Sequence, residues 1–531
     1  MSGCRSFRGG NAFGSKVWHY LLALAASLAA ATSYAAEPLT YYGFDGKNCS
    51  PEAAAGLEEI FAGHLFNYGV PAAAAKFLMS SQSGYAKKLG WEPGSQEALF
   101  YAFGKFHSPE DRQHGDDPTF GLGESVYDRD GTAMVTFNCF SCHAGVVNGQ
   151  VVAGLGNNHI NQSDRNRVRT RGDNFGPYSV WRMGARMADP EKKGMEPAAE
   201  PTELLKLLDS LELPPVDPMP WWTMKYKRWN YWYSDGGSHN AANFSVNFTI
   251  PSADVNERRA EHVATVAKAL AFARETQSPL YPGSLDADLV KKGADLFHGR
   301  TKPAAEGFRA CTSCHGKYTK KADSDYSQPG SWTVAYRFSD TLRNVGTDAA
   351  YSETLRQLGP IAEHINKLKV YFTEQGMPEL TPSARVPDRP GYVAPPLVGV
   401  WASAPYFHNG SVPTVEAVLN SKLRPEIWAR DNRDPCAYDL EKVGMQYRPV
   451  TREEFDTSAT ATAGKPYLSP EVIDHGTLYD TREFGHGNGG HPFGDKLTAD
   501  ERAAIIEFLK SLSGPDMPPA EEGQVAGQAG G

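Results

Sequence analysis

Cysteine is scarce in this chain. Seven in 531 residues are too few for a disulfide scaffold, and at about 150 residues per domain the length has room for two or three domains with their own cores. Positive charge is also short. Lys and Arg number 53 against 62 Asp and Glu, a net charge of −9, which makes nucleic acid and anionic lipid surfaces poor partners. Strand signals are few, and no internal repeat exists beyond one duplicated five-residue motif. What is present is ordinary for a soluble globular protein, with 40% apolar and 22% charged residues, while 11% aromatics with 52 Gly and 37 Pro predict a loop-rich chain.

The N-terminal 35 residues hold Arg5, Arg8 and Lys16 and no acid. The apolar run from Tyr20 to Ala31 follows, and then Ser33-Tyr34-Ala35. This order is that of a secretory signal, with cleavage expected after Ala35; an uncleaved anchor over Val17 to Ala36 is the alternative, since that run nearly suffices to span a bilayer. Loss of the three cations takes the net charge from −9 to −12. A periplasmic or secreted protein without stable membrane insertion is expected. Cys4 leaves with the signal, and of the remaining cysteines Cys49 and Cys436 either pair in an oxidising compartment or stay as thiols.

The other four cysteines form two C-x-x-C-H motifs, Cys139/Cys142/His143 and Cys311/Cys314/His315. Two thiols three positions apart reach the two vinyl groups on one porphyrin edge, and the adjoining imidazole falls under the iron. Two covalently bound haem c groups are therefore expected. Zinc held by paired CxxC motifs usually has them about 15–20 residues apart, whereas these are more than 160 apart. A thioredoxin-like pair has no need of the following histidine.

The expected fold is mainly α, with two cytochrome c-like haem domains, long loops and few short β hairpins, one of them near Gly145 to Gly154. The boundaries read as a signal at 1–35, an N-terminal haem domain at 36–278, a C-terminal cytochrome c domain at 279–513 and a disordered tail at 514–531. Pro51 to Gly63 and Pro71 to Met79 read as helices opened by proline. Asp286 to Phe297 is amphipathic. Near the C-terminus, Thr498 and Glu501 form a capping box ahead of the apolar stripe Ile505, Phe508, Leu509 and Leu512; this terminal helix should cross the first one beside the haem. Pro279 to Gly283 reads as the linker.

Between the motifs, Pro218 to Tyr233 carries seven aromatics: Trp221, Trp222, Tyr226, Trp229, Tyr231, Trp232 and Tyr233. They suit core packing around a porphyrin or the wall of an apolar substrate cavity. The role of each haem depends on its sixth ligand. Candidates in the C-terminal part are His408, His475, His486 and His491, with a packed role favoured for His408. His159, His239 or His262 could close the first haem.

Val393 to Thr414 (VAPPLVGVWASAPYFHNGSVPT) and the later NGGHPFG at Asn488 to Gly494 resemble the di-haem cytochrome c peroxidase and MauG superfamily, and within it the rubber oxygenase, RoxA-like branch. The resemblance is strongest over the C-terminal 240 residues or so and weaker around the first haem, where it rests on motif order and on Pro220 to Lys225. It implies that His491 is the axial partner of His315, and that the first haem has an open or oxygen-occupied face lined by Trp221 and Trp222. The resemblance thereby implies a haem-dependent oxidoreductase that activates oxygen at the first haem against a hydrophobic alkene-type substrate. Peroxide reduction fed by a redox protein donor, or plain electron transfer, are the alternatives.

Overall fold

The computed structural model describes residues 39–63, 65–66, 69–76, 106–109, 120–159, 210–211, 214–227, 241–248, 259–304, 306–335, 341–357, 359, 373, 386, 388–430, 434–462 and 478–514. The signal, the tail beyond residue 514, Cys4, His239, His475 and the aromatics Trp229 to Tyr233 lie outside these residues. Among the described residues no helix is long and apolar enough to cross a membrane.

Two apolar cores organise what is described. The first is built on the helix Pro51–Ala62, which Ser50 caps by accepting from Ala53 N and which ends at Gly63 in the left-handed region, φ 77°. It packs on the helix Arg259–Glu275 so closely that a Cβ at Gly56 would stand 2.0 Å from the Lys268 carbonyl oxygen. Glu275 returns to the cap, accepting from Ser50 N at 2.6 Å and Oγ at 2.7 Å. The 259–275 helix has no clear apolar stripe, so the sequence does not announce it.

The hairpin expected near 145–154 is present. Ala144–Val147 pairs antiparallel with Gln150–Ala153, and Asn148 and Gly149 take positive φ at the turn, the conformation that Asn-Gly favours in a two-residue hairpin. Thr40–Tyr42 adds a parallel strand. Strand content exceeds the expectation of a few hairpins: five small sheets of two or three strands occur among the described residues. The strands are short, and several are set by long-range pairing rather than local pattern, as where Ile427–Arg430 lies between Tyr447–Pro449 and Leu478–Asp480.

The second core is the crossing of two helices, Ala287–Phe297 and Ala499–Ser511. Asp286 caps one through Asp288 N and Leu289 N, and the Thr498/Glu501 capping box opens the other. Gly293 sits at the crossing, where a Cβ would come within 1.9 Å of the Ala504 carbonyl oxygen. Phe297 and Phe508 meet there at 5.1 Å between ring centroids.

The segment read as a linker is part of this second core. Tyr281 is buried, its N–H donates to Ser513 Oγ at 3.1 Å and its hydroxyl to the Leu440 carbonyl at 3.1 Å. Cys49 is a free thiol that donates to the Gly46 carbonyl, so a 49–436 disulfide is not formed.

Candidate haem sites

Each C-x-x-C-H motif folds as a single helical turn. In the first, Phe140–His143, the N–H groups of Cys142 and His143 both donate to Cys139 O, at 3.3 and 3.0 Å. In the second, Thr312–His315, those of Cys314 and His315 donate to Cys311 O at 3.1 and 2.9 Å. A turn of helix puts residues three and four apart on one face, so Cys139, Cys142 and His143 share one side of their turn, as Cys311, Cys314 and His315 do of theirs. The first turn is held in place through Cys142, whose carbonyl accepts from Asn157 N at 2.8 Å.

None of Cys139, Cys142, Cys311 and Cys314 is joined in a disulfide, and all four are partly exposed. Burial of the sulfurs pushes Cys139 and Cys311 up to about 12, the reverse of the lowered thiol pKa that redox CxxC pairs require. The neighbouring Cys142 sulfur pushes Cys139 the same way. No three His, Cys, Asp or Glu side chains assemble as a metal cage among the described residues, so the paired-CxxC zinc reading has no geometric support.

Around the second motif lies an apolar cavity of about 260 Å³, whose lining includes Cys311, Cys314, His315, Phe407, His491 and Leu509. His315 and His491 face each other with ring centroids 6.2 Å apart. Metal–imidazole nitrogen bonds are about 2.0 Å, so two rings sharing one iron have centroids about 6 Å apart. The pair thus has the spacing of two axial ligands. The His315 Nδ1 lies 2.9 Å from the Pro395 carbonyl, to which it donates. That bond fixes the tautomer that leaves Nε2 free for metal. Burial lowers the pKa of His315 and holds His491 down to about 4, so both rings are the neutral form that ligation requires.

These residues fit a haem on geometry alone. Cys311 and Cys314 would carry the thioethers, and His315 and His491 would hold the iron.

Two packed histidines flank the site. His408 stacks on Tyr392 at 4.0 Å and 19° and lines the cavity, and burial drives its pKa down to about 3. His486 has its Nδ1 2.9 Å from the Phe484 carbonyl.

The first motif differs from the second in its surroundings. Cys139, Cys142 and His143 take no part in lining the 260 Å³ cavity, so the haem expected on Cys139 and Cys142 rests on the shape of their turn and not on a cavity like that at Cys311 and Cys314. The imidazole of His143 stacks on Trp221 at 4.9 Å and 29°. Burial lowers its pKa to about 4, with the Met219 backbone opposing that shift. Trp221 therefore supports the ring on the motif's own side. Trp222 turns the other way: it is fully buried in the second core and its Nε1 donates to the Val398 carbonyl at 2.9 Å. The adjacent tryptophans thus anchor one 3₁₀ turn, Trp221–Tyr226, to both cores, while Met219, Pro220 and Thr223 line the cavity at the second motif. His262 has both ring nitrogens engaged, Nδ1 with Ser245 Oγ at 2.7 Å and Nε2 with the Leu65 carbonyl at 3.1 Å. His159 has its Nδ1 2.7 Å from Asn158 Oδ1.

Sequence reasoning passed over Pro395, which sits inside the quoted VAPPLVG run, and Arg424, which lies beyond the motif and has no sequence signal.

The RoxA-like, cytochrome c-like family matches residues 391–429. That span contains Tyr392, Pro395, Phe407, His408 and Arg424, so it wraps the cavity at the second motif, and it ties this part of the chain to RoxA-like cytochromes c and to haem binding. Two proteins of Sinorhizobium fredii (strain NBRC 101917 / NGR234) are similar as well. The uncharacterized protein y4iJ is 35% identical over 273 residues, 43% of this chain and 40% of its own. The uncharacterized protein y4iM is 42% identical over 135 residues, 23% of this chain and 27% of its own. The chain thus covers less than half the length of either relative.

Proposed function

We propose that the chain is an exported di-haem oxidoreductase in which Cys139, Cys142 and His143 would hold a haem that supplies dioxygen activation for the oxidation or cleavage of a hydrophobic alkene-type substrate, and Cys311, Cys314, His315 and His491 would hold one that supplies electron transfer. The observation that carries this reading is the contrast between the two sites. His491 faces His315 at the spacing of two axial ligands, whereas among the described residues no histidine ring stands at that spacing from His143, whose ring contact is with Trp221 on the motif's own side.

When bound, haem supplies one-electron redox chemistry and, where a coordination position is open, oxygen binding. The chain's own residues hold and insulate it. Cys139 and Cys142 would attach the first group and Cys311 and Cys314 the second. Pro395 orients His315. Trp221 fixes the plane of His143, and the phenyl rings of Phe140 and Phe272 pack against that indole at 5.9 and 6.2 Å, excluding water from the ring. The 219–223 segment reaches from one site to the other, which favours electron exchange between them. His262, one of the candidates for closing the first site, has both ring nitrogens engaged elsewhere.

Carbon monoxide titration of the dithionite-reduced protein tests the asymmetry, with oxygen uptake in the presence of a polyisoprenoid testing the reaction. One carbon monoxide per two haems and substrate-dependent oxygen uptake are expected. Failure to bind carbon monoxide, or turnover of hydrogen peroxide with a reduced donor in place of oxygen uptake, contradicts the proposal.

A further inference from the structure

Arg424 is the most heavily committed side chain near the second site. A guanidinium has five N–H donors in a planar fork, and here every nitrogen meets a backbone carbonyl. Nε donates to Ala417 O at 2.9 Å and Nη2 to Val418 O at 3.0 Å. Nη1 donates to Asn488 O at 2.9 Å and Gly490 O at 2.7 Å, and Nη2 also reaches His491 O at 3.4 Å. The first two carbonyls end the helix Val415–Leu419, where backbone acceptors lack intrahelical partners. The other three belong to the segment that delivers His491. One face of the guanidinium also covers the Phe407 ring at 5.0 Å, and that ring lies 6.1 Å from the imidazole of His491.

The backbone at the two clamped points takes a disfavoured conformation. Phe407 has φ 67° and His491 has φ 48°, both in the left-handed region that side chains other than glycine seldom adopt. Conformations of this kind persist only when the surroundings hold them, and Arg424 touches both residues. Asp495 accepts from Ser421 N and Oγ, both at 2.7 Å, which fixes the turn that leads into Arg424.

We infer that Arg424 is the positioning residue that holds His491 at the second haem, so that the strength of the axial bond is set by a side chain that never touches the iron. The inference rests on the reading of His491 as axial ligand. A lysine in its place keeps the charge but loses the fork. Outer-shell changes of this kind weaken metal binding by roughly 10- to 100-fold.

The test compares Arg424→Lys, Arg424→Ala and His491→Ala holoproteins by optical and electron paramagnetic resonance spectroscopy and by the midpoint potential of the second haem. Both Arg424 variants should lose most of the low-spin signal of the second haem while keeping two haems per chain, and added imidazole should restore it. The potential should move in the same direction as in His491→Ala. Should Arg424→Ala not fold, Arg424→Lys alone decides. If His491→Ala removes the signal and Arg424→Lys leaves signal and potential at wild-type values, the clamp is wrong and the ligand stands. If His491→Ala leaves the signal intact, the axial reading itself falls.

Discussion

At the scale of single residues, the site consists of imidazoles kept neutral by burial, and that has a cost measurable away from the iron. His408 is 5% exposed beneath Tyr392, with its pKa driven down to about 3, against about 6.5 in an unfolded chain. Between those values the unfolded chain binds the additional proton, so the native state loses stability as pH falls from about 6.5 towards 3. His408→Gln removes that proton uptake. Thermal unfolding of the holoprotein from pH 7 to pH 4 should therefore fall less steeply for the variant than for the parent; equal slopes would show that His408 is protonated in the folded state. His143, His315 and the two attachment pairs, Cys139 with Cys142 and Cys311 with Cys314, are legible from the motifs. Pro395 and Arg424 are not, because they act through backbone carbonyls, and a carbonyl contact leaves no mark on residue type.

Elements differ in how much of their placement is local. The terminal helix is declared by its own residues, since Thr498, Glu501 and the stripe from Ile505 to Leu512 lie in one short run, and the observed capping box and buried face follow from it. Its crossing partner is visible for the same reason. The helix 259–275 and the strand 427–430 are opaque, because their faces are defined by distant segments. The region 279–283 reads as a linker from Pro and Gly alone, while its burial depends on Ser513 and Leu440, more than 150 residues away. Thr498→Ala should lower stability by about 1 kcal/mol and leave the haem spectra unchanged. Gly293→Val, whose Cβ has no room beside the Ala504 carbonyl, should cost roughly 2–3 kcal/mol and perturb the second haem's spectrum as well. Denaturant unfolding followed at haem and tryptophan wavelengths separates the two, and equal effects would mean that the crossing does not shape the haem cavity.

For the whole molecule, the adjacent tryptophans are one of the points at which the two halves join, together with Asn158, whose Nδ2 donates to the Ala404 carbonyl at 3.1 Å, and Gly149, whose N–H donates to the Pro435 carbonyl. Trp221 belongs to the core of the first motif and Trp222 to that of the second, so a dipeptide conspicuous in the sequence for its apolar bulk joins the two sites. The sequence shows that these rings matter and leaves open whether they line a substrate cavity or bind the cores, because aromatic bulk serves both. On the proposed reading the chain carries two haems with different axial environments, each attached at its own motif. The most direct test is a pyridine haemochrome assay with ferric electron paramagnetic resonance on the parent and on the Cys139→Ala/Cys142→Ala double variant. Two haems per chain are expected in the parent and one in the variant, with the low-spin signal of the His315/His491 site surviving. Two haems retained in the variant, or a low-spin signal lost together with the first haem, would contradict it.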